Sequence, residues 1–207
     1  GLRSKRAALA AMKIQYNVVN GQAGVLRGYL ANAKKVRVTG AEFDITPYGT
    51  EAMHVLRAEK GFIIVGQDTD GSITPHDLGM GGMVSKTKDF LGRRSLSRSH
   101  TNSANRKQLV GLLTDDAQTV LPEGAQLTAL AQITATPTTA NSVPMIGHVT
   151  SSYFSPTLNR SIAMAVVRDG QQKMGQKIYA ALADGRHVAA TIASPVFYDP
   201  EGKHHHD

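Results

Sequence analysis

Thr46-Pro47-Tyr48-Gly49-Thr50-Glu51-Ala52-Met53-His54-Val55-Leu56-Arg57-Ala58-Glu59-Lys60-Gly61, followed at once by Phe62-Ile63-Ile64-Val65, is the stretch whose reading decides the fold. Threonine is a good N-cap and proline is tolerated at the first helical position, so a helix is expected to open at Thr46-Pro47. Ala52, Val55, Leu56 and Glu59 follow at helical spacing, and Gly61 supplies a C-terminal stop. The unbroken apolar run at 62–65 predicts a buried strand. Asp68-Thr69-Asp70-Gly71 predicts a turn. Residues 75–78 predict a short helix, and residues 89–96 another that carries Arg93 and Arg94. Residues 46–90 thus read as one helix–strand–loop unit.

From about Gln108 the pattern changes to β. Residues 109–113, 145–153 and 161–167 read as strands. Residues 177–183 and 187–192 flank Asp184-Gly185, a hairpin signal. Several short strands with turns between them suggest a barrel or a sandwich. Residues 135–144, rich in Thr, Pro, Ala and Asn, read as a loop. The first forty residues look different: residues 7–19 are compatible with a helix that places Leu9, Met12 and Tyr16 roughly on one face.

The chain has 207 residues, enough for one large domain or two small ones. It has no tryptophan and only 5% aromatic residues, so the core must be mostly aliphatic. No run of about 18 apolar residues exists, and no transmembrane helix is expected. There is no cysteine, which excludes disulfides, thiolate metal sites and a cysteine nucleophile and fits a reducing, cytoplasmic setting. The net charge of +7 is uneven. Residues 1–40 contribute +8 and residues 86–107 contribute +6, leaving −7 for the rest. The acid-free composition of residues 1–40 is shared with transit peptides, and a solvated basic helix has the same composition.

Glu59 is the candidate ligand-contacting carboxylate. It falls on the last helical turn, where the helix dipole is already negative, so something must compensate it. One reading is a salt bridge to Arg57, Lys60 or a neighbour. The other is a receptor for a ligand edge that donates hydrogen bonds, because a carboxylate is an acceptor-only group with two oxygens. The basic stretch 86–107 has three readings: a solvated loop, attraction for an anionic ligand tail, and phosphate binding. Phe90 is its only aromatic residue, which weighs against nucleic acid. Asp68, Asp70 and Asp77 partly imitate a calcium loop, but the first position falls on Gly66 and the flanks are wrong, so a plain acidic turn is preferred. His148 reads as a structural histidine in a β pattern, and His54 as facing helix packing. His204, His205 and His206 read as a tag remnant or tail. Gly79-Met80-Gly81-Gly82 lacks the spacing of a dinucleotide fingerprint, and Ser151 and Ser152 lack an elbow motif.

Leu56-Arg57-Ala58-Glu59-Lys60-Gly61-Phe62, the turn at 66–70, Thr74-Pro75 and residues 86–90 followed by Gly92 resemble the folate-binding module of the glycine-cleavage aminomethyltransferase, or T-protein, family. Residues 45–54, 61–71, Met145-Ile146-Gly147-His148-Val149-Thr150-Ser151-Ser152-Tyr153 and Pro195-Val196-Phe197-Tyr198-Asp199-Pro200 are similar to one branch, the C-terminal end of the α subunit of heterotetrameric sarcosine oxidase. The resemblance runs from about Ala41 to Gly202.

It implies an α+β chain: the second half of a T-protein-like folate-binding domain, then a small antiparallel β-barrel domain. The expected divisions are a basic, poorly matching segment at 1–40, the partial folate-binding domain at 41–106, the barrel at 107–202 and a His-rich tail at 203–207. The implied cofactor is tetrahydrofolate, which takes up the one-carbon unit when sarcosine is oxidatively demethylated to glycine. Glu59 matches the glutamate that holds the pterin ring. Lys88 falls where the T-protein branch has a folate-contacting arginine, and keeps its charge without its planar fork. FMN, FAD and NAD are expected only in the complete oxidase, with its β, γ and δ subunits as partners. No nucleic acid or membrane partner is implied. The family's catalytic aspartate and the nucleotide-binding domains have no counterpart here, so no catalytic residue or metal ligand is assigned. The chain is expected to be a fragment, inactive alone, and residues 1–40 to be foreign to the family, as after a frame shift. The alternatives are a fragment of a glycine-cleavage-type aminomethyltransferase, which uses a lipoyl protein and no flavin, and a non-catalytic structural module.

Overall fold

Alternation along the C-terminal strands gives each strand two apolar faces, which the computed structural model places inside and outside a closed barrel. The structure describes residues 34–44, 46, 48–130 and 143–203. The strands are β1 (Lys107–Thr114), β2 (Gln126–Thr128), β3 (Gly147–Ser155), β4 (Arg160–Arg168), β5 (Lys177–Ala181) and β6 (His187–Ala193). They are ordered β1-β4-β3-β2-β5-β6, with every pair antiparallel and β6 closing on β1. Closure gives every strand a neighbour on both sides, although the short β2 meets β3 only at Gly147 and His148. All five expected strands lie within two residues of their expected bounds, residues 145–153 being observed as Gly147–Ser155. β2, only three residues long, was not anticipated.

In β1, Val110 and Leu112 enter the barrel interior, where they meet Val149, Ala165, Val167 and Ile192. Leu109 and Leu113 are one residue out of phase and lie outside, with Ile162 and Met164 of β4. The core is aliphatic, as the lack of tryptophan requires. Each fully buried Leu or Ile contributes about 1.5–3 kcal/mol.

The last turn of α1 (Thr50–Glu59) packs on the outer face of the barrel, where Ala58 joins the outer cluster. Inward-facing Arg57, Ala58 and Glu59 are buried, while Met53 and Leu56 stay exposed. Gly61 ends the helix in the left-handed conformation, φ +70°. A Cβ there would lie 2.7 Å from the Pro195 carbonyl oxygen, so the site demands glycine for space as well as for φ. Gly111 serves the same segment on the barrel wall, where a Cβ would meet the Ser194 oxygen and the Phe197 ring.

The chain divides into two units at Thr50. In the first, residues 34–40 are helical and a 3-10 turn spans Ala41–Phe43, ended by Asp44 in the left-handed region. The second, from Glu51 onward, holds the barrel and the elements packed on it.

Several expectations are corrected. The helix starts at Thr50, not at Thr46, and Pro47 lies outside the described residues. Residues 62–65 are not a buried strand: Phe62 is 60% and Val65 83% exposed, and the only pairing is an isolated bridge from Val65 to Thr69. The run is apolar because Ile63 packs on the outer cluster, not because a sheet encloses it. Residues 75–78 form hydrogen-bonded turns. The helix expected at 89–96 contracts to α2 (Arg93–Leu96), since Gly92 before it is left-handed at φ 94°. The expected helix at 7–19, most of the loop at 135–144 and the three terminal histidines lie outside the described residues.

Candidate functional site

Glu59 ends α1 with its side chain turned to the barrel, 2% exposed. The Ser155 hydroxyl, at the end of β3, donates to Glu59 Oε1 at 2.6 Å. The Glu59 main-chain oxygen accepts the amides of Phe197 and Tyr198, both at 2.9 Å. The salt bridges expected from its neighbours are not made. Arg57 pairs with Asp68, and Lys60 pairs with Asp199 at 3.2 Å. Among the described residues Glu59 has no ion-pair partner.

Asp68 lies in a turn, as expected, but it is fully buried and is the hub of a polar cluster. Its Oδ2 accepts the Arg57 guanidinium and the Ile64 amide, the latter at 2.9 Å. Its Oδ1 accepts the hydroxyls of Thr150 and Ser151, each at 2.6 Å. Those two residues are consecutive in β3, where plain alternation would send one of them inward. A register shift between Val149 and Ser151 turns both outward, and re-aiming side chains is what bulges do. Arg57 also donates to Ser151 Oγ at 2.6 Å and to the Phe62 carbonyl at 3.1 Å, and lies 5.7 Å from the Tyr153 ring centroid. His54 stacks on that ring, with centroids 6.4 Å apart and planes 13° apart, so its expected packing role is observed.

A cleft of about 380 Å³ opens beside this cluster, between the loop carrying Asp70 and the barrel residues Lys107, His148 and Val166. His148 is half-buried there, and burial, reinforced by Lys107, holds its imidazole below the usual value. Burial raises the Asp77 carboxyl, but the Arg106 hydrogen bonds and the Thr74 amide and hydroxyl outweigh it, leaving the net shift downward. Arg106 Nη2 lies 2.6 Å from Asp77 Oδ2. Among the described residues no group of three or more His, Asp or Glu is arranged to hold a metal ion.

Lys88 lies apart, in an exposed loop whose Ser85 hydroxyl receives the Lys88 amide at 2.9 Å. Arg93 braces that loop by donating to the carbonyls of Lys86 and Lys88, each at 3.3 Å. An open cleft of about 740 Å³ beside it is lined by Lys86, Phe90, Arg93 and Arg94. No hydrogen bond or ion pair joins Lys88 to Glu59, and neither residue lines either cleft.

Two family models match this architecture: the glycine cleavage T-protein C-terminal barrel domain over residues 107–199, and the GCVT N-terminal domain over residues 29–88. The chain belongs to the glycine cleavage T-protein family. Within it, the chain is 48% identical over 167 residues to the sarcosine oxidase subunit alpha of Corynebacterium sp. (strain P-1), covering 81% of this chain and 17% of that protein. It is 37% identical over 169 residues to the same subunit of Rhizobium meliloti (strain 1021), covering 81% of this chain and 16% of that one. It is 35% identical over 130 residues to an aminomethyltransferase of Xylella fastidiosa (strain M12), covering 61% of this chain and 31% of that one. This T-protein family member thus spans about a sixth of the length of the curated oxidase relatives it matches. Among solved structures, the glycine cleavage system aminomethyltransferase T from Bartonella henselae superposes with TM-score 0.64 at 25% identity, over 82% of this chain and 44% of that one. The T-protein resemblance read from the sequence is therefore correct, as is the barrel.

Three parts of the site escaped the sequence: the Asp68 cluster, Ser155, and the segment 195–199 that clamps the helix end. One signal was available for the first. Thr150-Ser151-Ser152 places three hydroxyls in a row inside a strand pattern, and consecutive polar residues in a buried strand point to a bulge.

Proposed function

We propose that this chain is the folate-binding C-terminal portion of a sarcosine-oxidase-type α subunit, with Glu59 as the pterin-binding group. The observation that carries this is a buried carboxylate at a helix C-terminus with no cation beside it among the described residues. Its neighbours Arg57 and Lys60 are both committed elsewhere. Such a group is compensated by donors, and a pterin ring presents adjacent N–H and NH₂ groups that a carboxylate accepts. The oxidase branch is favoured over the aminomethyltransferase branch by the higher identity over a longer stretch.

When bound, tetrahydrofolate supplies the acceptor for the one-carbon unit. This chain's own residues bind and orient it. Glu59 holds the ring, and Lys88 and the basic loop around it attract the anionic end. The β, γ and δ subunits complete the assembly, together with the rest of the α subunit. The test is Glu59→Gln in the complete oxidase, followed by tetrahydrofolate titration and sarcosine turnover. The substitution keeps the volume and replaces one acceptor oxygen with a donor, so folate affinity is expected to fall about tenfold or more while demethylation of sarcosine continues. Unchanged folate affinity sinks the assignment.

A further inference from the structure

We infer that Ser155 is the positioning residue of Glu59, its hydroxyl fixing the rotamer in which the carboxylate meets a folate. This rests on the proposed role of Glu59. Ser155 is fully buried at the end of β3. Its Oγ accepts the Leu158 amide at 3.0 Å and lies 2.6 Å from Glu59 Oε1. A serine hydroxyl has one proton, and an amide N–H only donates. The Leu158 contact therefore uses an oxygen lone pair, and the single proton points at Glu59. The direction of that hydrogen bond is fixed by the fold and does not depend on ligand.

The rest of Glu59 is fixed as well. Its main-chain oxygen is held by the Phe197 and Tyr198 amides. A free glutamate side chain has three torsions, and ordering them on binding weakens affinity. Ser155 removes that cost in advance, and it occupies only one of the roughly four lone-pair sites of the carboxylate. The remaining acceptor capacity is thus held in one orientation, as a preorganised binding group requires.

The test is a double-mutant cycle of Ser155→Ala and Glu59→Ala, read by tetrahydrofolate titration of the oxidase whose α subunit carries this sequence. Ser155→Ala is expected to weaken binding about tenfold. In the Glu59→Ala background the same change is expected to add less than about twofold, because a residue acting through the Glu59 side chain then has nothing left to position. Ser155→Cys keeps the size but donates weakly, and replaces alanine in the cycle if Ser155→Ala does not fold. A serine effect that persists in full without Glu59 overturns the inference and leaves Ser155 as a brace of the 155–158 turn. A serine substitution without effect on affinity also overturns it. Glu59→Ala without effect, or a parent protein that does not bind tetrahydrofolate, overturns instead the reading on which the inference stands.

Discussion

Replacing Asp68 by alanine tests whether the hub beneath α1 holds the helix to the barrel. Asp68 accepts four donors, from Arg57, Ile64, Thr150 and Ser151. Alanine removes this acceptor from all of them, and the largest cost is the Arg57 guanidinium, buried with its counter-ion gone. Breaking a buried pair from one side costs about 3–5 kcal/mol. Thr150 retains the Met164 carbonyl at 3.2 Å, which limits the extra loss from the hydroxyls. An overall loss of about 4 kcal/mol corresponds to a fall in Tm of roughly 8–16 °C for a domain of this size. The assay is urea unfolding followed by circular dichroism, with a thermal melt alongside. Arg57→Met combined with Asp68→Leu is expected to cost less than Asp68→Ala alone, because an apolar pair leaves no isolated charge. A loss below about 1 kcal/mol for Asp68→Ala, or a double variant less stable than the single, refutes the reasoning.

Two further outcomes are expected. Asp77 has its folded-state pKa below its ordinary value of 3.8, so the unfolded chain takes up the proton first on acidification. Its contribution to stability is complete above the ordinary value and is lost as pH falls through the folded one; Asp77→Asn should flatten that part of the pH profile of the urea midpoint. Gly61→Ala places a Cβ 2.7 Å from the Pro195 oxygen at φ +70°. It is expected to lower stability by about 1–3 kcal/mol in a thermal melt, and a neutral result contradicts the described helix end.

What the sequence made legible was whatever is encoded locally. Gly61 after Ala58-Glu59-Lys60 marked the helix end because a left-handed residue is needed there. The long strands showed themselves because each residue's neighbour two places on shares its face. The misreadings share one cause. Phe62 to Val65 looked like a strand because an apolar run implies enclosure only if something encloses it, and no strand among the described residues pairs with it. Asp68 is a turn residue, but its role as a buried hub was missed because its partners Thr150 and Ser151 are more than eighty positions away. Glu59 was singled out by its awkward place at a helix end, whereas Ser155, the group that meets it, carries no local mark. Ser155 is separated from Glu59 by 96 positions.

The clamp on the helix end has a consequence for the order of assembly. Glu59 comes well before the last segment of the matched region, yet its main-chain oxygen is held by Phe197 and Tyr198, and Lys60 is held by the Asp199 carbonyl at 2.6 Å. During synthesis α1 is made long before the segment that fastens it, and contacts so distant in sequence form late. Until residue 199 has left the ribosome, the helix end carrying Glu59 has no anchor on its carbonyl side. A chain cut at Ser194 would retain all six strands and still lose the fastening. The helix end that carries Glu59 is thus fastened only after residues 197–199 have been made, so the order of synthesis leaves this contact among the last to close.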